Sequence, residues 1–462
     1  MAAAAPADLA EFHAELRAVA RALLSASPPS WDRITEVGWT GLEVEEALGG
    51  ADATFAETAV VLQEMGRAAA SVPYLAVAGL GVGALALLEP GPDRDDLLRA
   101  TATGDALTVV ALDAETTDGT PFRLDAEFRL HGTAAFVLDA SRADRLLVPA
   151  LDPTATPVIA TVAAAPARSR PPAPDQGESP AADADTRPDS SRPLASTRSG
   201  SREAPDGASG WIGPRVPMSA RNGSREAVEG APETDTPRVS ARGGSWEADC
   251  RCLSASAQGG SSVVAEVDSR AGSVAIADRA VLDATRTFGS VVADGVAVPA
   301  DAVWRFRSDP GVALRRLHDR AAVAVACDSL GLSEAMLDAT VAYAGTREQF
   351  GRRIGSFQAV KHACADMLVQ ARVARELVAA AAQAVAVGDP DAGTAAAMAK
   401  SFACAAAVEV AGKAMQLHGG MGYTWESGVH LHLKRASLNR SLFGAPARHR
   451  ARIAARYRDG AP

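Results

Sequence analysis

The chain has 462 residues, of which 47% are hydrophobic and 22% charged, the balance of an ordinary globular protein with room for two or three domains. Its formal net charge of −10 excludes a nucleic-acid partner held by general electrostatics. The five cysteines, Cys250, Cys252, Cys327, Cys364 and Cys404, are odd in number and irregular in spacing, which argues against a disulfide scaffold.

Cys250 and Cys252 lack the second Cys or His pair of a zinc site, so no metal is expected. These features point to a reduced, cytoplasmic protein. The opening MAAAAPADLAEF has no basic residue ahead of its apolar ones, so no leader is expected. The most apolar run, Tyr74 to Leu88, is shorter than a membrane span and carries three Gly. It reads as a buried helix, and no membrane partner is expected.

Residues 1–104 read as helices. Leu9, Phe12, Leu16, Val19 and Leu23 recur at spacings of three and four, one face of a helix. Ala59, Leu62 and Met65 repeat the pattern between Ala53 and Ala70. Pro73 sits near the next helix start, where its missing N–H costs nothing, and Pro90-Gly91-Pro92 marks a turn. Residues 105–152 and 263–305 change period. LTVVALDA, FRLDAEFRLHG, AAFVLDA, RLLVPA, SVVAEVDS, GSVAIAD and FGSVVADGVAVP read as strands of one sheet domain.

Residues 153–262 interrupt that domain. Copies of one pattern begin at Ser196, Ser219 and Ser240, offset by 23 and then 21 residues. They carry almost no apolar residues, so a solenoid has nothing to bury and disorder is expected. An inert surface insertion and a partner-binding arm are both compatible with this composition. Residues 306–462 return to helix, over about Leu314–Ala344, Ser356–Val387, Asp391–Leu417 and one or two segments in Val429–Tyr457. Met398, Phe402, Ala405 and Val408 form one stripe of the third. Thr346–Ile354 is a polar break.

Two carboxy-terminal segments carry a family resemblance. TREQFGRRIGSFQAVKH (Thr346–His362) and QLHGGMGYTWE (Gln416–Glu426) resemble, in order and spacing, signatures of acyl-CoA dehydrogenases. WTGLEVEEALGG (Trp39–Gly50), EMGRAAASVPYL (Glu64–Leu75) and LDATRTFGSVVADGVAVPAD resemble other parts of the family. The resemblance covers about residues 8–152 and 263–457. It implies an α+β fold: a helical domain, a middle β-sheet or barrel domain, and a four-helix carboxy-terminal bundle. It also implies an acyl-CoA substrate, FAD as hydride acceptor, and a separate electron-transfer acceptor.

The residue types suit a dinucleotide. Arg347 offers a charge-assisted contact to a pyrophosphate. Gln349 and Gln358 offer neutral donors and acceptors, and Phe350 a flat surface. Gly419 and Gly420 let the backbone close on a cofactor, with Gln416 one turn earlier. In the family the two motifs are expected to touch one FAD from different subunits, which implies a homo- or hetero-oligomer. Alternatives remain at each position. Arg347 is also a plausible solvated helix-end cation, the glycine pair a helix stop, and His418 and His449 surface or capping groups.

The resemblance also exposes a gap. Its usual Glu base falls here on Phe443, and the alternative position on Ala321. Neither takes a proton, so no catalytic residue is assigned. Asp319 and Asp328 stand near Ala321 on the same helix as candidates for a displaced base or plain helix-surface carboxylates. The Phe443 N–H matches the family's donor to the thioester carbonyl. Leu112–Thr120, LDAETTDGT, does not match the family's flavin-covering loop, and Phe136-Val137-Leu138 replaces its Trp-Ile-Thr segment. Together these features resemble the base-poor chain of bacterial α2β2 members, which the family links to steroid side chains and other bulky CoA thioesters. A homo-oligomer with a displaced base and a non-catalytic, acyl-CoA- or partner-binding paralogue stay open as alternatives.

Overall fold

The structure, a computed structural model, describes residues 6–26, 29–115, 120–164 and 273–458. It begins with helices α1 (Pro6–Ala26), α2 (Trp31–Glu36), α3 (Phe55–Arg67), α4 (Leu75–Ala86) and α5 (Pro92–Thr103). A capping box starts α3, with Thr54 and Glu57 satisfying each other's end of the turn. Ala59, Leu62 and Met65 of α3 are buried, as their spacing requires. The α4 run is buried, and residues 75–82 take the wider π-helical turn. Of the expected apolar face of α1, Leu16 and Leu23 pack against the core, and the rest of its described side chains is corrected. Phe12 and Val19 are 47% and 54% exposed, and the helix buries Ala20 and Leu24 instead.

Eight strands form one mixed sheet among the described residues: β1 (Thr108–Val110), β2 (Phe122–Leu124), β3 (Arg129–Leu138), β4 (Arg145–Leu151), β5 (Pro157–Ala163), β6 (Ala275–Arg279), β7 (Phe288–Ala297) and β8 (Val303–Trp304). The order is β6-β7-β3-β2-β4-β5-β8, with β1 also on β4. β4 pairs in parallel with β1 and β2, and the other pairs are antiparallel. Its run Leu146–Ala150 is buried throughout, as a central strand demands.

β5 corrects the expected domain boundary. The middle domain was to pause at residue 152, yet Pro157–Ala163 pairs along the whole of β4. Its Pro, Thr and Ala content resembles the insertion, while Val158, Ile159 and Val162 alternate into the core. The repeats, the strand expected in SVVAEVDS, and Cys250 and Cys252 lie outside the described residues.

The carboxy-terminal part holds α6 (Pro310–Thr346), α7 (Gln358–Ala386), α8 (Ala392–His418), α9 (Val429–Ser441) and α10 (Pro446–Arg458). α6, α7 and α8 pack mutually. The pair α9 and α10 fills the fourth place of the bundle in two pieces, both against α8. α8 is long and apolar enough to cross a membrane, but most of it is buried within the bundle. Its expected stripe is also corrected. Met398 is 40% exposed and Phe402 half-buried, while Ala399, Ala403, Ala407 and Ala411 face the core. Small residues win the core face because three helices close around α8.

α3 crosses α6 at glycine contacts. A Cβ on Gly331 would stand 1.8 Å from the Gln63 carbonyl oxygen, and one on Gly66 2.0 Å from that of Asp328. A buried ion cluster then joins all three parts of the chain. Arg435 of α9 donates to Asp328 of α6 at 2.6 and 3.0 Å, to Ala70 O at 2.8 Å and to Thr285 Oγ1 at 2.9 Å. Arg286, just before β7, lies 3.1 Å from the same carboxylate.

Candidate active site

α6 ends at Thr346, and the chain makes a small hairpin, β9 (Glu348–Gln349) with β10 (Arg352–Arg353). Phe350 and Gly351 at its tip both take positive φ, 54° and 72°. Arg347 N–H donates to Tyr343 O at 2.8 Å, and Ile354 N–H returns to Arg347 O at 2.9 Å. The hairpin backbone is therefore fixed while the Arg347 guanidinium is left without an ion pair or hydrogen bond among the described residues. Phe350 is 91% exposed. Gln349 and Gln358 are exposed on the same segment.

α8 ends at His418, and Gly419 (φ 59°) opens a short 3-10 turn, Gly419–Tyr423. A Cβ on Gly419 or Gly420 would meet nothing within 4 Å, so the corner is open to an incoming ligand. Gln416 is exposed one turn earlier. His418 is not a surface group. Its Nδ1–H donates to Ala414 O at 2.7 Å, and its ring stacks on Tyr343 at 4.5 Å between centroids.

That stacking brings the two motifs to one end of one chain's bundle. Each chain therefore presents the Arg347 guanidinium and the glycine corner at the same end of its bundle. Both face solvent, and no described residue covers them.

The expected base positions lie deeper. Ala321 is fully buried, and Phe443 is 3% exposed with φ 52°. The Phe443 N–H, expected to face a thioester carbonyl, instead donates to Ala114 O at 2.7 Å. Ala114 N–H donates in turn to Phe136 O at 2.9 Å, and Asp113 accepts from Ala135 N–H at 2.9 Å. Phe136 stacks on Phe288 at 4.1 Å. The segment that departs from the family pattern thus holds the very donor the family uses.

The turn around Phe443 is clamped from two sides. Lys400, fully buried, donates from Nζ to the carbonyls of Asn439 and Arg440 at 2.9 and 3.3 Å, capping α9. His449, 7% exposed, donates from Nε2 to Phe443 O at 3.0 Å. Burial pulls the His449 pKa down to about 4, against the help of that carbonyl. Sequence reasoning did not find Lys400, because its role depends on the end of a helix 39 residues away.

Neither candidate displaced base is free. Asp319 forms a two-pronged pair with Arg452. Burial alone would raise the Asp328 carboxyl, but Arg435 and Arg286 outweigh it and hold it well below the usual carboxylate range. Asn439 adds a hydrogen bond at 2.6 Å. Asp328 is therefore a structural anion, not a proton acceptor, and it is not a surface group either. A cavity of about 410 Å³ beside Phe443 is lined by Arg315, Asp319, His449 and Arg452 among others. Among the described residues no three His, Cys, Asp or Glu side chains group as a metal site, and Cys327, Cys364 and Cys404 are free thiols.

A helical domain, a mixed sheet and a helical bundle ending in this hairpin and glycine corner define the acyl-CoA dehydrogenase architecture. The family models for the acyl-CoA dehydrogenase N-terminal domain and C-terminal domain match residues 4–105 and 311–457, and the chain belongs to that family. Acyl-CoA dehydrogenase IpdE2 of Mycolicibacterium smegmatis is 37% identical over 174 residues, 38% of this chain and 50% of that protein. FadE34 of Mycobacterium tuberculosis is 44% identical over 141 residues, 30% of this chain and 20% of that protein. The matched part thus spans half or less of these curated relatives. Among solved structures, a variant of the Tcur3481–Tcur3483 steroid ACAD aligns with a TM-score of 0.66 at 22% identity, over 98% of this chain and 99% of that one. The ChsE4–ChsE5 complex of Mycobacterium tuberculosis aligns at 0.65 and 22%, over 98% of each chain. These two show the shared fold.

Proposed function

We propose that the chain is one subunit of an FAD-dependent acyl-CoA dehydrogenase whose catalytic base comes from a partner chain. The observation that carries this reading is the fate of the carboxylates. Ala321 and Phe443 stand where the resemblance places the base, and Asp319 and Asp328 are both spent on arginines. The reaction needs a group that removes the acidic proton beside the thioester carbonyl. A related chain with a free Glu would supply it.

The exposed corner suits FAD, which when bound supplies the hydride acceptor. Arg347 would neutralise a pyrophosphate, Gly419 and Gly420 would admit it close to the backbone, and Gln349, Gln358 and Gln416 would hydrogen-bond around it. Phe350 would lie against a ring. The absence of any described residue over this corner supports a second chain as its other wall. Two structural relatives are named as pairs, Tcur3481–Tcur3483 and ChsE4–ChsE5, which supports a hetero-oligomer. One is named a steroid ACAD, which favours a bulky lipid acyl group on CoA, with electrons passing to a separate acceptor in the cytoplasm.

The Ala114–Phe443 contact favours a second reading, in which this chain's own thioester site is shut and it serves only to complete the partner's site. Purification alone and after co-expression with a neighbouring paralogue tests both. Flavin absorbance and acyl-CoA-dependent dye reduction only in the co-expressed assembly are expected. Arg347→Glu should then bleach that assembly. Flavin content that Arg347→Glu leaves unchanged refutes the cofactor assignment, and a colourless protein under both conditions refutes the flavoprotein reading.

A further inference from the structure

The last two helices carry charge of the opposite sign to the chain as a whole. Residues 429–458 hold eight Lys and Arg and no Asp or Glu, in a protein whose net charge is −10. Part of that charge is answered within the fold. Arg435 is buried on Asp328, Arg452 is paired with Asp319, and Arg456 lies 2.7 Å from Asp391. Lys434 stands over the Trp425 ring at 5.4 Å, and Arg448 is engaged as well. Arg440, in the last turn of α9, and Arg450 and Arg458 of α10 are exposed, and their guanidinia make no ion pair or hydrogen bond among the described residues.

α10 sorts its arginines into two rows. Arg452 and Arg456, four residues apart, turn inward and pin the helix to α6 and to the residue that precedes α8. His449 is buried on the same side. Arg450, Ala454 and Arg458 follow at the same spacing on the outward face, with exposed Ala447 and Ala451 beside them. At a rise of about 1.5 Å per residue, the two outward arginines stand about 12 Å apart along the axis. The alanines leave a shallow floor between them, and Tyr457, 64% exposed, borders it. No Leu, Ile, Val or Phe is exposed among the described residues of α10, which sets it apart from a helix that lies in a lipid surface.

We propose that the outward face of α10 docks an acidic segment of a partner polypeptide, its Asp or Glu carboxylates on Arg450 and Arg458 and its backbone close over Ala447, Ala451 and Ala454. Charge complementarity selects this occupant. A guanidinium takes a carboxylate through two parallel N–H donors, and neither Arg450 nor Arg458 has a carboxylate among the described residues. Cations left unanswered on one face of an otherwise acidic protein steer an acidic partner to that face and fix its orientation. The proposal goes beyond the dehydrogenase reading and needs neither flavin nor the base-bearing chain.

Fluorescence anisotropy of a fluorescein-labelled peptide of ten aspartates, titrated with the full chain, tests it. The peptide should bind, and raising NaCl from about 50 to about 500 mM should weaken the binding several-fold. The double variant Arg450→Gln/Arg458→Gln, at two exposed positions, should weaken it about fivefold or more. Arg450→Lys/Arg458→Lys, which keeps the charge, should retain most of the binding. Arg123→Gln/Arg279→Gln makes the same charge change on β2 and β6 and should leave the affinity within about twofold. Absence of peptide binding, equal binding by the Arg450→Gln/Arg458→Gln variant, or an equal loss in the sheet variant overturns the proposal. Binding of phosphatidylserine vesicles in place of the peptide overturns it too, since the face would then be a lipid site. Flavin content does not enter any of these measurements, so the two readings stand or fall separately.

Discussion

His449 makes the stability of the Phe443 turn depend on pH in a way that can be worked from its surroundings. Its Nε2–H donates to Phe443 O at 3.0 Å, and its Nδ1 is buried with no partner. Protonation would place a second N–H where no acceptor waits, with Lys400 and Arg452 adding positive charge nearby. Burial is the main cause, and the imidazole titrates at about 4. An unfolded histidine titrates near 6.5, and at about 1.4 kcal/mol per pH unit the gap amounts to about 3.5 kcal/mol. The folded value is the depressed one, so the unfolded chain takes up the proton first. This contribution is complete above pH ~6.5 and is lost as pH falls toward about 4. His449→Gln does not titrate there and keeps a donor for the Phe443 carbonyl. Urea unfolding of both proteins from neutral pH down to about 4.5 isolates the term, because the other groups cancel in the difference. The stability of the native protein relative to His449→Gln should fall by about 2–3 kcal/mol over that range. Parallel pH curves for the two would refute the reasoning.

Two further changes probe the packing. Asp328→Asn leaves Arg435 and Arg286 buried without their counter-charge, and chemical denaturation should show a loss of about 3–5 kcal/mol. A result within experimental error of the native protein would mean that the cluster is solvated. Gly331→Ala puts a Cβ against the Gln63 carbonyl and should cost about 2–3 kcal/mol, while Gly412→Ala, with nothing within 4 Å, should be neutral or slightly stabilising. Thermal melts of the pair decide it, and equal melting temperatures would disprove the close α3–α6 crossing.

Much of the fold was legible because apolar period and helix breakers act locally. The break at Thr346–Ile354, the three long helices around it and the strand read in FGSVVADGVAVP follow from patterns a few residues long, whereas FRLDAEFRLHG and AAFVLDA divide differently, as β2 and as a β3 that runs on through Gly132. The misreadings have two physical sources. Alanine is neither strongly apolar nor polar, so the stripe through Met398 and Phe402 outshone the alanine face that α8 actually buries. β5 was masked by Pro157 and Thr161, although its pairing with β4 overrides composition. At the site, the exposed hairpin and glycine corner were readable because they are single local segments. The Phe443–Ala114 bond, the Lys400 cap and the partners of Asp328 were not, since each joins residues far apart in the chain.

The same ion pairs that hold the domains together also occupy the two carboxylates considered as displaced bases. A carboxylate accepts a proton usefully only if its affinity for one is near that of the solution, or above it. Each guanidinium beside it lowers that affinity, and Asp328 has two. Asp319 is gripped through both oxygens by Arg452. Freeing Asp328 would mean removing Arg435, and with it the contacts to Ala70 and Thr285 that tie α9 to the rest of the chain. Asp328 therefore cannot become a proton acceptor without the loss of that junction. That loss is what the proposed function avoids by taking its carboxylate from a partner chain.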